Sequence, residues 1–351
     1  KGANVDKLAA EFADELDTLG VRVANLEKKA DAVKITGEVR YHYTDSDDDF
    51  NGYETKLRSR LFFNGQINDD WTYTGMIENN QDLKNDAGDE DTKFQRAYVN
   101  GKLGGVKVQA GRYNLKLADG NVYDTRFDGV QLSYGKDVKV TAGYGKATPS
   151  SVTFKNTGAV GANEFGIRGE SDETWYADVT GKVGSLSLGA GYYNFKDVDM
   201  YGTKLNTTGN IVSDKALDKA EDFEIWQVNA NYAFDKNFKL GAMYLMGDDS
   251  GEYEGVDDDG YVVTASYKGA KASQPGSWGL VAKYYDQGVT TYIDHTMNGV
   301  ADKMFGFKGY SVFANYTFAK NIVGQVEWYD LEEKEGERES QTLWAQMLFT
   351  F

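Results

Sequence analysis

The side chains best suited to a chemical role are arginines in segments where polar and apolar residues alternate. Arg58 and Arg60 are two positions apart, and Arg40 and Arg96 stand in two further segments of this kind. Because alternate residues of a β-strand lie on one face, these guanidinium groups would form a fixed basic surface. Such a surface, placed opposite a row of carboxylates, creates an electric field across a water-filled space.

Groups for covalent catalysis or metal binding are few. The 351-residue chain has no cysteine, which excludes disulfides and thiolate metal sites. It has two histidines, His42 and His295, and no serine in a Gly-x-Ser-x-Gly elbow, so a Ser-His-acid hydrolase is not indicated. The acidic runs at 45–49 and 257–259 fit solvated surface loops, with calcium or magnesium binding as the alternative. We expect no enzymatic activity, no cofactor and no dedicated metal site.

The composition indicates a large antiparallel sheet. Aromatic residues make up 14% of the chain, with 24 Tyr and 18 Phe, and there are 40 Gly but only 2 Pro. The net charge of −17 argues against a protein that binds duplex nucleic acid, and the aromatic content argues against disorder. No apolar run reaches the roughly 18 residues that a transmembrane helix needs.

From residue 33 onward the apolar pattern has a period of two, which predicts strands of about ten residues with one apolar and one polar face. About sixteen such segments follow one another, joined alternately by short turns and longer polar loops. This arrangement favours an all-β transmembrane antiparallel barrel of about 16 strands over a soluble sandwich. The apolar face would meet lipid. The polar face, which carries Arg40, Arg58, Arg60 and Arg96, would meet water in the lumen.

The first 32 residues follow another pattern. Val5, Phe12, Leu19, Leu26 and Val33 lie seven apart, with further apolar residues three or four after each. This heptad pattern predicts a helix that forms a coiled coil between chains, while a helix folded onto its own domain is the simpler alternative. We therefore expect two domains, a helical stalk at 1–32 and a barrel at 33–351.

Several motifs resemble those of known proteins. The chain ends in LFTF, and the aromatic pair Phe349 and Phe351 resembles the assembly signal of bacterial outer-membrane proteins. The segments 60–65 (RLFFNG) and 95–103 (QRAYVNGKL) look like the second and fourth strands of general porins, and 109–112 (QAGR) looks like the fifth. Residues 21–34 resemble the OmpM type of porin, in which a periplasmic coiled coil joins the barrel to an S-layer-homology domain that grips the cell wall. No such domain and no signal peptide occur in these residues, so we expect a mature fragment of a longer protein.

The porin resemblance implies a constriction built by an arginine ladder on the barrel wall. Arg60 and Arg96 match two ladder positions, and Arg126 resembles the third. Arg126 and Arg112, however, have the parity of the lipid-facing residues. A bulge or the end of the loop would have to turn Arg126 toward the lumen.

Opposite the ladder, the resemblance implies a loop that folds into the pore. It is expected at 116–125, with Asp119 and Asp124 as the candidate acids. The loop is short and lacks the Pro-Glu-Phe-Gly-Gly motif common in enterobacterial porins, which predicts a wider or differently built constriction. The transverse field between the two rows would favour small hydrophilic solutes. Alternatively, the arginines only pair with acids of the wall and keep the lumen hydrated.

These features together imply an outer-membrane porin for passive diffusion of small hydrophilic solutes and ions. The resemblance further implies a homotrimer in a bilayer with lipopolysaccharide, inserted by the barrel assembly machinery. The stalk and the C-terminus would lie in the periplasm, and the missing N-terminal domain would bind peptidoglycan or its polymers.

Two alternatives remain, a channel specific for sugars or oligosaccharides and a mainly structural tether between outer membrane and peptidoglycan. A sugar channel would lay aromatic residues along its lumen. The aromatic residues with inward parity are expected to be scattered, which favours the general pore; they are Phe62, Tyr98, Tyr193, Phe313 and Tyr329.

Overall fold

The computed structural model describes residues 10, 12–13, 15–23, 32–85, 92–147, 151–155, 163–168, 171, 173–198, 200–205, 211–216, 222–247, 257–334 and 338–351. The strands within these residues are β1 (Val33–Ser46), β2 (Gly52–Gln66), β3 (Thr72–Asp82), β4 (Thr92–Leu103), β5 (Val106–Leu117), β6 (Tyr123–Tyr134), β7 (Val138–Ala147), β8 (Ser151–Lys155), β9 (Asn163–Arg168), β10 (Glu173–Val183), β11 (Leu186–Lys196), β12 (Met200–Leu205), β13 (Ile211–Ala216), β14 (Asp222–Ala233), β15 (Phe238–Gly247), β16 (Asp259–Lys268), β17 (Trp278–Gln287), β18 (Phe307–Ala319), β19 (Ile322–Glu333) and β20 (Glu339–Thr350). Short 3-10 turns lie at Asp48–Phe50, Ala118–Gly120, Val289–Thr291 and Ala301–Lys303.

Sixteen of these strands form a closed antiparallel barrel, which confirms the predicted all-β barrel of about 16 strands. The ring runs from β1 to β7, then through β10, β11 and β14 to β20, and β20 pairs with β1. A closed ring has no sheet edge, so the wall offers no row of unpaired backbone groups.

The other four strands form a separate sheet in the order β13-β12-β9-β8. They belong to two long connections, β7 to β10 and β11 to β14, which the sequence pattern predicts to be long polar loops at 147–173 and 196–221. The pattern did not predict the strands within these connections. The two connections leave neighbouring parts of the wall, and their backbone groups pair with each other, as between β9 and β12.

Exposure alternates along the barrel strands. On β15, Tyr244 and Met246 are exposed on the outer face, whereas Met243 and Leu245 are buried on the inner face. The outer face is thus an apolar band that suits a hydrocarbon environment, as the period of two predicts. The inner face is also apolar here, because two segments fold into the lumen and cover it.

The first of these segments is the distal part of the β5–β6 hairpin. The pairing of β4 with β5 stops at Arg112, and the pairing of β6 with β7 stops at Phe127. Residues 113–126, here called the inner hairpin, therefore have no neighbouring wall strand in the ladder beyond the β5–β6 pairing itself. The second segment, residues 288–306 between β17 and β18, is here called the inner loop.

The described residues between 10 and 23 are helical, as the heptad pattern predicts. Phe12, Leu16 and Leu19 on this helix are 53–65% exposed. The heptad positions Val5 and Leu26 lie outside the described residues. The last heptad position, Val33, is the first residue of β1, so the change of period coincides with the start of the barrel. No helix in the described part of the chain is both long enough and apolar enough to span a membrane.

The barrel closes around the C-terminal residue. Phe351 and Gly37 exchange two backbone hydrogen bonds, of 2.8 and 2.9 Å, next to the β1–β20 ladder. The Phe351 ring covers Gly37 so closely that a Cβ atom added there would lie 2.3 Å from the ring. The glycine therefore makes room for the terminal ring at the seam.

We predict that Gly37→Val impairs closure of the barrel, because the added side chain and the Phe351 ring cannot share this space. Overpacking of this kind destabilises by about 1–3 kcal/mol. The expected result is a lower unfolding temperature of the barrel, measured by its heat-dependent shift on gels. Gly181→Val is the matched control, since Gly181 also has the outward parity of β10 and its nearest neighbour atom would be 3.7 Å away. Equal unfolding temperatures for the two variants would contradict the prediction.

Candidate functional site

The four arginines of the predicted basic surface lie on neighbouring strands of one part of the inner wall. On β1 and β2, Arg40 stands directly opposite Arg58. Arg60 of β2 stands between Glu38 of β1 and Glu78 of β3. On the fourth strand, a register shift that skips Gln95 sets Arg96 opposite Met76.

Two glutamates partly neutralise this basic wall. Arg58 donates to the Glu38 carboxylate over 2.9 Å. Arg60 bridges both acids, with N···O distances of 3.3 Å to Glu38 and 2.6 Å to Glu78. Glu38 thus stands among the arginines as their partner.

Arg40 and Arg96 have no carboxylate within 4 Å among the described residues. The Arg40 guanidinium instead lies 5.2 Å from the ring centroid of Trp344, which stacks on His42 at 4.1 Å. Four guanidinium groups therefore face two carboxylates, and the wall carries an excess of positive charge.

The inner hairpin has an apolar face and a polar face. Tyr113, Leu115 and Tyr123 are on the apolar face and are almost fully buried. Tyr113 reaches Tyr176 of β10 by a hydroxyl–hydroxyl contact of 3.1 Å. Near the tip, Asn121 contacts the sulfur of Met243 on β15 at 3.6 Å. The hairpin therefore crosses the lumen and packs on the wall opposite β1–β4.

The bend of the hairpin explains the parity of Arg126. In the β5–β6 ladder Arg126 is opposite Asn114, and Asp124 is opposite Lys116. These four residues have the same parity as the residues that face lipid where β5 and β6 are part of the wall. Once the hairpin leaves the wall, this same face is turned toward the open lumen. No bulge at 128–129 is involved, because the β5–β6 register runs without a shift.

Arg112 remains at the base of the hairpin. Its guanidinium makes two hydrogen bonds of 2.6 Å with the Asp128 carboxylate, and both side chains are about 40% exposed. Its outward parity, noted from the sequence, is therefore retained, and Arg112 is outside the basic wall.

A short polar bridge connects the basic wall to the hairpin. Arg96 Nη2 donates to Asn114 Oδ1 over 3.4 Å, and Asn114 Nδ2 donates to Asp124 Oδ1 over 2.7 Å. Lys116 Nζ is 3.9 Å from the other Asp124 oxygen. Asp124 is thus the predicted acid that comes close to the arginines.

Asp119, the other predicted acid, is at the tip of the hairpin in a different setting. It follows Ala118, and both have left-handed backbone angles, with φ of 54° and 52°. Asp119 lines a cavity against β10 and β14 together with Lys116. The two predicted acids therefore serve two different parts of the lumen.

The sequence predicts a long polar loop at 288–305; the segment is a long connection between β17 and β18, but many of its side chains are apolar and buried. Val289, Tyr292, Ile293 and Met304 are each at most 2% exposed. Sequence reasoning had a signal for this, since the segment carries apolar residues that a solvated loop does not need.

The inner loop and the tip of the inner hairpin are joined by their backbones. The amides of Ile293 and Asp294 donate to Val122 O over 2.9 and 3.0 Å, and the Asp124 amide donates to Asp294 O over 2.9 Å. The Thr296 amide donates to Gly120 O over 2.8 Å. Two segments from different parts of the wall thus form one arch inside the barrel.

Buried carboxylates hold the inner loop against the wall. Glu327 of β19 is 2% exposed and accepts two hydrogen bonds of 3.0 Å from the Asn298 amide and one of 2.5 Å from Tyr329. Glu333, also 2% exposed, accepts from the Phe305 amide over 2.8 Å and pairs with Arg338.

His295 lies inside the arch and hydrogen-bonds Gln287 over 3.0 Å. Burial, together with the positive charge of Lys283, lowers the pKa of the His295 imidazole to about 3. The ring is therefore neutral at ordinary pH and acts as a packing residue. It has no serine–acid arrangement around it among its described contacts.

Four of the five inward aromatic residues are gathered, contrary to the prediction that they are scattered, and Phe62 is outside this group. Tyr193 and Tyr329 belong to the buried cluster under the arch, and Tyr98 and Phe313 pack against it. The arch and this cluster cover part of the inner wall next to β10–β19, and a separate cavity remains at the hairpin tip. The passage that carries the predicted site lies between the basic wall and the polar face of the hairpin.

Toward the rim of the long loops, this passage continues into a cavity of about 610 Å³. Thr44 and Ser46, which follow His42 along β1, line it together with Trp344. Its other side is formed by the inner loop, including Asn298 and Asp302. Burial raises the pKa of the Asp302 carboxyl.

The same barrel occurs in solved structures of bacterial proteins. OprB of Pseudomonas putida is 12% identical over 95% of this chain and 97% of its own, with a TM-score of 0.58. A multiply substituted Rh. blastica porin is 14% identical over 91% of this chain and all of its own, with a TM-score of 0.52. A loop-deleted OmpT, an outer membrane protein of Vibrio cholerae, is 18% identical over 91% and 99%, with a TM-score of 0.54. At these identities the likeness establishes the fold. No family model and no curated protein matches the chain.

We predict that Glu327→Ala loosens the arch, because it removes the acceptor of the Asn298 and Tyr329 hydrogen bonds. Amide hydrogen exchange within 288–306 and 113–126 should become at least about tenfold faster, since hydrogen bonds to a buried charged group contribute about 1.5–3 kcal/mol. Mass spectrometry of the exchanged protein measures this. Glu332→Ala, on the exposed face of the same strand, is the control. The anchoring role is wrong if both variants exchange like the wild type.

Proposed function

We propose that the chain is an outer-membrane porin, a water-filled channel for passive diffusion of small hydrophilic solutes and ions. The observation that carries this proposal is the contact from Arg96 through Asn114 to Asp124, which brings a basic wall and an acid of an inward-folded hairpin to the two sides of one passage. The apolar outer face of a closed barrel and the fold of the Rh. blastica porin support it.

The mechanism follows from the fixed charges. Guanidinium groups on one side and a carboxylate on the other orient water and dipolar solutes across the passage. A hydrophilic solute replaces this water with hydrogen bonds of its own, whereas an apolar solute cannot. Diffusion of solutes through the channel needs no cofactor and no reaction, and we propose that the protein is not an enzyme.

The excess charge of the wall also sets a preference among ions. Arg40 and Arg96 are not neutralised by a carboxylate within 4 Å in the described part of the chain, so the narrow passage favours anions. The acidic loops act further out, where water and salt screen them within about 10 Å at 0.1 M salt.

The envelope context is a further part of the proposal. We place the barrel in the outer membrane as a homotrimer of the OmpM type, with the stalk of residues 1–32 and the C-terminus in the periplasm. The exposed apolar residues of the described helix support an association of stalks, since Phe12, Leu16 and Leu19 are uncovered in a single chain. Contacts with lipopolysaccharide, the barrel assembly machinery and peptidoglycan belong to the same proposal, and so does the role of a tether.

We predict that the double variant Arg60→Ala/Arg96→Ala shifts the channel toward cations, because Glu38 and Glu78 keep their charge while two guanidinium groups are lost. In planar bilayers under a salt gradient, the reversal potential should move toward the cation limit and the conductance should rise. Lys107→Ala, a lumen-side residue near the short β4–β5 turn, is the control. An unchanged reversal potential in the double variant would remove the proposed filter, and the absence of any conductance in the wild type would remove the channel itself.

We predict that Phe12→Asp/Leu19→Asp weakens the oligomer, since charges would enter the heptad seam. The expected result is dissociation of trimers at a lower temperature on native gels, with the barrel still folded. Asp17→Lys/Glu15→Lys, between the seam positions, should leave dissociation unchanged. Equal behaviour of both double variants would refute the associating stalk.

A further inference from the structure

A second polar surface lies on the far side of the inner hairpin. It borders a cavity of about 410 Å³ between the hairpin tip and β6, β7, β10, β11, β14 and β15, here called the side chamber. This volume is within the range of small-molecule sites, about 300–1,000 Å³. The chamber is separate from the basic wall, whose residues do not line it.

A row of side-chain amides forms the floor of the side chamber. Gln227, Asn229 and Asn231 are alternate residues of β14 and share its inner face. Asn231 Nδ2 donates to Asn229 Oδ1 over 3.4 Å, and Asn229 Nδ2 donates to Gln227 Oε1 over 2.8 Å. The amides are therefore oriented by each other, and each still has donor or acceptor positions to offer.

Glycines on the neighbouring strands let these amides lie flat against the wall. Gly189 of β11 is opposite Asn229, and Gly241 of β15 is opposite Asn231. A Cβ atom at Gly189 would lie 2.6 Å from the Asn229 amide nitrogen, and one at Gly241 would lie 2.1 Å from the Asn231 amide oxygen. Any side chain at either glycine would push the amide away from the floor.

The amide row ends at a carboxylate. Asp178 of β10 accepts a hydrogen bond of 2.7 Å from the Tyr193 hydroxyl. Gly191 stands between Asp178 and Gln227 in the sheet, and a Cβ atom there would lie 2.4 Å from the Asp178 oxygen. No lysine or arginine of the described chain lies within 4 Å of Asp178, so its second oxygen is not held by an ion pair.

The charges that line the side chamber balance. Lys116 and Lys139 carry two positive charges, and Asp119 and Asp178 carry two negative ones. The chamber therefore lacks the excess charge that would concentrate an ion of either sign. Its remaining polar lining consists of amides and hydroxyls, among them Thr141, Thr180 and Ser187.

We propose that the side chamber is a binding subsite for neutral polyhydroxylated solutes, namely mono- or disaccharides in the passage. A sugar hydroxyl both donates and accepts, as the amides do, and a carboxylate accepts from two neighbouring hydroxyls. This proposal rests on the proposed channel function, and it assigns to the channel a step of sugar binding before release.

The test is the ion current through single channels in planar bilayers, with glucose or maltose added. In the wild type the current should fall with sugar concentration and then level off, since a binding site saturates. Polyethylene glycol of similar size should reduce the current without levelling off. Asp178→Asn and Asn229→Ala should each raise the half-blocking concentration by about tenfold, as expected for hydrogen bonds lost from an oriented site.

Two further variants make the test independent of folding and of general lumen effects. Gly189→Ala keeps all charges and should weaken sugar block by displacing the Asn229 amide. Asn64→Ala removes a lumen-side amide on β2, where it accepts from Thr74, and should leave the block unchanged. A channel that conducts but shows no saturable block would overturn the subsite and leave the channel in place. Equal block in wild type, Asp178→Asn and Gly189→Ala would also overturn the subsite.

Discussion

The interior of this barrel is organised by the need of every buried peptide group for a hydrogen-bond partner. Within the wall the ladders supply these partners. The inner hairpin and the inner loop leave the wall, and each satisfies backbone groups at its end by bonding to the other. The hairpin tip even holds Ala118 and Asp119 at left-handed angles, which raise the energy of such residues by about 1–3 kcal/mol each. The bonds to the inner loop and the packing on the wall offset this strain.

The arch gives the lumen two chemically different sides. Toward β1–β4 the hairpin presents Asp124 to a wall with excess positive charge, and toward β10–β15 its tip presents Asp119 to a floor of amides. A solute therefore meets a field on one side of the hairpin and a set of oriented hydrogen-bond groups on the other. One short segment determines both environments.

Much of the wall could be predicted from the sequence, because a period of two follows directly from strand geometry. The period of two assigned Arg40, Arg58, Arg60 and Arg96 to the strand face that lines the lumen, and the structure places them on that face. Parity could not place Arg126, because alternation fixes the face of a strand but not which solvent that face meets after the strand leaves the wall. The contacts of the inner loop could not be predicted from the sequence either, because its partners are distant in the chain. The role of the glycines beside the amide row can be recognised only when the strand register is known, because the register determines which amide lies opposite each glycine.

The contacts of the arch also bear on the order in which parts of the molecule fold. Its two halves, near Val122 and near Ile293, are separated by half of the barrel strands. Contacts of such high sequence separation form late, because the entropy of closing the intervening chain opposes them until the strands between have paired. The closing contact between Gly37 and Phe351 spans an even longer stretch. We therefore expect a nascent barrel to be a wide, unsealed cylinder whose barrier to free diffusion forms late in folding.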